Sequence, residues 1–360
     1  MKPPITIVGC GQVGANIAKR LQKSTNLKIM ETSFRRETSQ HPWGWMRRVT
    51  LQQKSRLRLP LQNLDLENKI KGPMIISTNS AHREYLWKDW LHQTKTDAKL
   101  MTREEGLERF GLSDRVQLLC DSQDFLFDFD QHKESLIQEL QKTCDWFEKY
   151  PIEKIHWYKQ KVVGLVDKNN TYHEVEGKIL FCLGNQTRQF LETPTMGIRL
   201  AYNVIPTSKN KSKEKYIASW RDYSSIQHFP NYTKIGCGFQ GTIDYLPPLQ
   251  YAHLFTKFLA KPNYSFLFSP LSQMKQAEND ANGTVLEDNH LQTCTVDITP
   301  SFLPRIQVIG NAIFIYGMSG SGFTVYEPWF QDLIFNLVQE KNNDNPFANS
   351  HLVKEKSFLY

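Results

Sequence analysis

The clearest pattern of apolar and polar positions lies near the amino terminus. Ile5-Thr6-Ile7-Val8 is short, apolar and β-branched, the pattern of a strand buried on both faces. Gly9-Cys10-Gly11-Gln12-Val13-Gly14 follows, and Ala15 to Leu21 continues at helical spacing. Leu27-Lys28-Ile29-Met30 predicts a second strand, which ends at Glu31. Further on, Ile70 and Pro73 to Ser77 predict a short strand, Arg83 to Leu91 and Thr102 to Phe110 predict helices, and Phe125 to Phe129 predicts a strand. Leu136, Leu140, Cys144 and Phe147 recur at helical intervals. Lys161 to Val166 and Tyr172 to Val175 flank Asp167-Lys168-Asn169-Asn170 as a hairpin. Lys178 to Leu183 reads as an apolar strand running into Gly184. From 191 to 293 the chain turns to Tyr, Phe, Pro and Ser with several short strands, which predicts a second, sheet-rich domain. Asn311 to Tyr316 is a buried strand that leads through Gly317-Met318-Ser319-Gly320-Ser321-Gly322 to the apolar helix Trp329 to Val338.

Strand, Gly-x-Gly-x-x-Gly, helix, strand and acid stand in the order a dinucleotide site requires. Gly9 permits the tight turn, Gly11 lets a pyrophosphate approach the backbone, and Gly14 lets helix and strand pack closely. The phosphates would rest on the amide groups that open the helix at Gln12 and Val13, at its positive dipole end. Glu31, twenty residues past Gly11, can accept hydrogen bonds from both hydroxyls of an adenosine ribose. The alternative is a strand–turn–helix with no ligand.

At 360 residues the chain exceeds the roughly 250–300 residues of a single core, so two interlocked domains are expected. Hydrophobic content of 40% and aromatic content of 12% suit a globular chain. No apolar run approaches the roughly 20 residues of a membrane span. Met-Lys-Pro-Pro followed at once by a core strand leaves no room for a signal peptide, which predicts a cytoplasmic protein. The formal charge is 44 − 37 = +7, partly in the loop Lys209 to Lys215 and in the pairs Arg35-Arg36 and Arg47-Arg48. No helix carries a continuous basic face and no nucleic-acid motif is present, so a mildly basic surface or an anionic substrate is the better reading. The six cysteines are scattered without a Cys-x-x-Cys pair or a zinc set, so no metal is expected. His41 to Arg48 holds Trp43 and Trp45 in a loop, as a buried wall or as the lining of a cavity for something flat.

The order of elements resembles the FAD-dependent D-amino-acid oxidase superfamily, most closely the branch of monomeric sarcosine oxidase and related secondary-amine oxidases. Four stretches carry the resemblance: Ile5 to Glu31; Lys178 to Gly184; Lys234-Ile235-Gly236-Cys237-Gly238 with Ile243-Asp244; and Cys294-Thr295-Val296-Asp297-Ile298-Thr299-Pro300 leading to Gly317–Phe323. It implies an α/β fold in which a Rossmann-like FAD-binding domain is interleaved with an α+β substrate domain built on an antiparallel sheet. The corresponding division gives residues 1–79, 132–190 and 295–341 to the FAD domain, 80–131 and 191–294 to the substrate domain, and 342–360 to a polar tail. The implied activity is oxidation of a C–N bond of an amine or amino acid by hydride transfer to FAD, with reoxidation by oxygen or another acceptor.

The resemblance also implies roles for individual residues. Val163, Gly184, Gly317, Ser319, Gly320, Gly322, Phe323 and Thr324 join the N-terminal glycines and Glu31 around FAD. A helix starting near Gly322 would aim amide groups at the pyrimidine edge of the flavin. Cys294 falls where this branch joins FAD covalently through sulfur; a small buried hydrophobe is the alternative. Lys234 matches the lysine placed over the flavin to activate oxygen, against a surface lysine without a role. Arg47, with Arg48, corresponds to an arginine pair that contacts flavin or a substrate carboxylate. Two departures stand out. Gly238 replaces a substrate-site histidine and Thr324 a carboxylate-binding lysine, so the substrate is expected to differ from sarcosine. Trp43, Trp45, Phe239 and Tyr245 are candidates to line a larger pocket. The competing readings are a catalytically silent flavin-binding protein and an NAD(P)-dependent dehydrogenase.

Overall fold

A computed structural model describes residues 4–31, 44–46, 66, 68–93, 96–120, 122–148, 151–206, 215–221, 224–236, 242–255, 292–300, 303–318, 328–341 and 345. Two sheets organise it. The smaller has six strands in the order Arg305–Ile309, Ala312–Tyr316, Ile179–Phe181, Ile5–Val8, Leu27–Met30, Asp145–Phe147. All neighbours run parallel except the hairpin of the first two. Ile5–Val8 lies inside this sheet, and its alternation explains why the run is apolar throughout. Ile5 and Ile7 pack with the helices Gln12–Leu21, Phe129–Thr143 and Pro328–Val338. Val8 packs on the other side, with Ile152, Val162, Leu165 and Val175 of a three-stranded meander. Leu180 and Phe181, and Ile313 and Phe314, divide between the two layers in the same way.

The larger sheet has nine strands. Its order is Thr242–Tyr245, Met196–Pro206, Tyr232–Gly236, Ser224–His228, Ala218–Arg221, Met74–Thr78, Val116–Leu119, Lys99–Thr102, with Gln292–Ile298 on the other flank of Met196–Pro206. The chain is thus α/β with a parallel nucleotide-type sheet and a separate, mostly antiparallel one, as the sequence implied. Met74–Thr78 and Gln292–Ile298 both pair in the larger sheet.

Two elements differ from their sequence pattern. Phe125 to Phe129 is not one strand: Phe125–Leu126 pairs with Trp45–Met46, and a helix begins at Phe129. The cause is Asp128, whose carboxylate accepts from the Gln131 N–H and caps that helix. Phe147 is not helical either. The helix stops at Thr143, Cys144 is extended, and Asp145–Phe147 joins the parallel sheet beside Leu27–Met30. The strands Ile152–Tyr158 and Arg305–Ile309 carry no clean alternation and were not legible. Past Ile152 the first of them is largely exposed, with Trp157 and Tyr158 among the exposed residues.

Asp167 ties the meander together. Its Oδ1 accepts from the Asn169 and Thr171 N–H groups at 2.8 and 3.0 Å, and its Oδ2 lies 3.0 Å from His173 Nε2. The His173 hydrogen bond, followed by the backbone donors, holds its carboxyl below the usual carboxylate range. A depressed native pKa contributes stability above the unfolded value of about 3.9 and loses it as pH falls. Asp167→Asn is therefore expected to lower the thermal midpoint at pH 7, with the gap to wild type closing towards pH 3. A gap of equal size at both pH values in thermal unfolding would contradict this.

Candidate cofactor and active site

Parallel strands deliver their carboxyl ends to one edge, where ligands of open α/β sheets bind. Val8 stands opposite both Phe181 and Met30, and Phe181 stands opposite Phe314. Gly9, Glu31, Gly184 and Gly317 therefore leave the sheet on the same edge. Gly9 has φ +89°, and a Cβ there would lie 2.7 Å from the Cys182 carbonyl oxygen. A Cβ on Gly14 would collide with the Gly9 carbonyl oxygen, so both positions require glycine. Gly11 caps the helix Gln12–Leu21 in an extended conformation without a side-chain cap, and the first turn holds no acid. Gln12 and Val13 are half-buried at this helix start. The Glu31 carboxylate, 8% exposed, bends back over the turn and accepts from the Cys10 N–H at 3.2 Å.

The later glycines serve the same edge. Gly184 has φ +55° and open space where a side chain would stand, at the start of the 3-10 helix Gly184–Gln189. Gly317 has φ +62°, and a Cβ there would strike the Thr299 methyl group. Thr299 in turn donates its hydroxyl to the Leu303 carbonyl at 2.8 Å, which seats the Thr299-Pro300 bend against the end of the strand Ala312–Tyr316. Gly317 thus leaves the sheet on the same edge as Gly9.

One face of the larger sheet carries the other candidate groups. Lys234 stands opposite Val204 and Gln227, Tyr202 opposite Gly236, and Cys294 opposite Leu200. Val204, Tyr202 and Leu200 are alternate residues of one strand, so Lys234, Tyr202 and Cys294 share a face. Lys234 is 4% exposed, and its Nζ donates to Asp130 Oδ2 at 3.1 Å. Nearby, the Tyr232 hydroxyl donates to Asp128 Oδ2 at 2.8 Å. Burial, with Cys294 and Asp130 adding to it, pushes the Tyr202 phenol well above its ordinary value. The Gly44 N–H donates to Gln227 Oε1 at 2.9 Å, which brings the short strand Trp45–Met46 to the same region.

Other sequence candidates lie elsewhere. Val163 is not at the carboxyl edge. Its carbonyl accepts from the Val175 N–H and the Tyr172 hydroxyl, and its neighbour Val162 bonds Asn311, which precedes the strand Ala312–Tyr316. That places Val163 at the amino end of the parallel strands. The meander reaches the other end through Ile152, which pairs with Asp167 and packs with Val8 and Met30. Trp45 is 4% exposed among Trp87, Trp90 and Phe229, a core residue rather than a cavity wall. Tyr245 lies over Gly197 on the opposite face from Lys234, with the Arg188 guanidinium 3.8 Å above its ring. On that opposite face burial pushes the Asp297 carboxyl up to about 7, against the pull of Arg188. Cys294 is 3% exposed among Met196, Ile198, Leu200 and Phe255. Arg47, Arg48, Trp43, Gly238, Phe239, Ser319, Gly320, Gly322, Phe323 and Thr324 lie outside the described residues. Among the described residues, no helix is long and apolar enough to cross a membrane. Sequence reasoning missed Asp128 and Asp130, because nothing in their spacing points to a strand 104 residues away.

No protein-family model and no curated protein sequence matches this chain. Solved structures do. The chain is similar to the L-amino acid deaminase from Proteus vulgaris, with TM-score 0.75 and 12% identity over 97% of this chain and 96% of that one. It is similar to the glycine oxidase from Bacillus cereus, with TM-score 0.71 and 13% identity over 99% of each chain. The iminodiacetate oxidase from Chelativorans sp. gives TM-score 0.66 and 12% identity over 95% and 97%. Agreement over the full length at such low identity is agreement of architecture: this chain shares the fold of these three enzymes.

Proposed function

We propose that this protein is an FAD-dependent oxidoreductase that oxidises a C–N bond of an amine or amino acid, with oxygen as the acceptor. The observation that carries the reading is that Gly9 and Gly317 leave the parallel sheet on one edge, together with a second sheet whose buried lysine lies on a single face with Tyr202 and Cys294. The residues fit FAD. Gly9 and Gly14 leave a turn that a Cβ would fill, Gly11 opens a helix without a side-chain cap, and Glu31 overhangs the turn. The similarity to L-amino acid deaminase, glycine oxidase and iminodiacetate oxidase supports the reaction class.

In this reading FAD, when bound, takes up the two electrons of the C–H bond beside nitrogen. The chain does the rest. The Gln12 and Val13 amides hold the pyrophosphate at the positive end of their helix, and Glu31 accepts from the ribose. Gly317, with Ser319, Gly320, Gly322, Phe323 and Thr324 after it in the sequence, would supply backbone donors to the flavin, as the resemblance implies. Lys234 supplies a fixed buried cation that stabilises the anion formed as oxygen gains its first electron. Arg47 directly follows Trp45–Met46, which reaches the Lys234 face through Gly44 and Gln227, and it is suited to a substrate carboxylate. In the net reaction the substrate loses one hydrogen from carbon and one from the adjoining nitrogen, and its C–N single bond becomes the C=N bond of an imine. Both hydrogens and the two electrons end on oxygen, as hydrogen peroxide. Gly238 and Thr324 leave the pocket without two polar anchors, which favours a substrate other than sarcosine. Cys294 is the candidate for a thioether to FAD.

Purified protein is expected to be yellow and to bleach when an amine or amino acid is added without oxygen. A colourless protein that binds NAD(H) would overturn the proposal, and a yellow one that no amine or amino acid bleaches would mark a silent flavoprotein. Gly14→Val is expected to abolish FAD retention, measured as flavin absorbance per chain. Lys234→Met should slow reoxidation by oxygen at least ten-fold with little effect on flavin reduction. If Cys294 bears the cofactor, the denatured band fluoresces on a gel and Cys294→Ala releases free FAD; a dark wild-type band rules the bond out.

A further inference from the structure

Lys234 carries a cation in a place that would ordinarily reject one. It is 4% exposed, and the rings of Phe229 and Tyr232 stand 5.5 and 5.6 Å from its Nζ. A second ammonium lies close by. Lys133, 2% exposed, sits on the helix Phe129–Thr143 and donates to Asp130 Oδ1 at 3.4 Å, while Lys234 holds Asp130 Oδ2 at 3.1 Å. One carboxylate therefore bonds two buried lysines from its two oxygens.

A buried ammonium is costly unless it is paired and hydrogen-bonded, and Asp130 meets both needs at contact distance. The other titratable groups nearby are Asp128 on the same helix end, occupied by Tyr232 and by the Gln131 N–H, and Tyr202 and Cys294 on the sheet. Asp128 fixes the helix end to the strand Tyr232–Gly236, so Asp130 approaches Lys234 from a set direction. We infer that Asp130 is a positioning residue: it pairs with the Lys234 ammonium and fixes where it points. This rests on the oxygen-activating role proposed for Lys234.

Two measurements test it. The first is reoxidation of the photoreduced, FAD-loaded protein on mixing with oxygenated buffer, for wild type, Lys234→Met, Asp130→Asn and Asp130→Glu. Asp130→Asn is expected to slow reoxidation at least ten-fold. Asp130→Glu keeps the charge but shifts it by one methylene, and should give an intermediate rate. The second does not depend on turnover: acetylation of the full-length protein by acetic anhydride at fixed pH, with Lys234 read by peptide mass spectrometry. Loss of the carboxylate should raise Lys234 labelling at least three-fold, and Asp130→Glu should restore it towards wild type. Slow Lys234→Met with wild-type Asp130→Asn overturns this inference and leaves the Lys234 reading standing. Wild-type reoxidation in Lys234→Met removes that reading and the inference with it. If Asp130→Asn does not retain flavin, Asp130→Glu decides, and a wild-type rate there overturns the inference.

Discussion

The close approach of the helix Gln12–Leu21 to the strand Ile5–Val8 is the constraint on which the rest depends. At Gly14 the helix comes so near the Gly9 carbonyl that no side chain fits between them, and at Gly9 the backbone turns through a left-handed conformation against Cys182. Both contacts hold the helix start at the carboxyl edge of the sheet. The strands that form this edge are buried from both sides by different layers, the helices against Ile5 and Ile7 on one face and the meander against Val8 on the other. Burial pushes the Cys182 thiol up to about 12, in keeping with a packing residue of this floor and not a reactive one.

The helix Phe129–Thr143 joins this floor to the second sheet. Leu136, Ile137 and Leu140 bury it in the core beneath the nucleotide edge, while Asp128 and Asp130 at its first turn reach Tyr232 and Lys234. Carboxylates at a helix start complement its dipole, so the same residues that favour the helix locally also anchor the neighbouring sheet. The larger sheet then keeps its two faces distinct. Lys234, Tyr202 and Cys294 lie on one, and Arg199, Asp244 and Thr295 form a hydrogen-bonded and ionic cluster on the other.

Much of this was legible because it is local. The first strand, its glycines, the helix and Glu31 follow one another within a few turns of chain, and each residue type answers to a backbone need. The hairpin at Asp167 and the strand Ala312–Tyr316 were readable for the same reason. The Phe125 to Phe129 pattern misled because an apolar alternation says nothing about Asp128, which starts a helix instead. Val163 differs because resemblance supplied a strand without its direction, and the meander runs so that Ile152, not Val163, reaches the carboxyl edge of the parallel sheet.

By itself the sequence determined the amino-terminal unit of the parallel sheet: its order of elements, the positions that must be glycine, and the acid that closes the turn. It also carried a late glycine bend but not where that bend would lie. Only the tertiary structure decided that Gly317 shares an edge with Gly9, that Tyr245 and Lys234 stand on opposite faces, and that Lys234 is held by Asp130. The physical reason is range. Turns and caps are settled between residues a few positions apart, whereas strand order and the pairing of buried charges depend on which distant segments the packed core brings into contact.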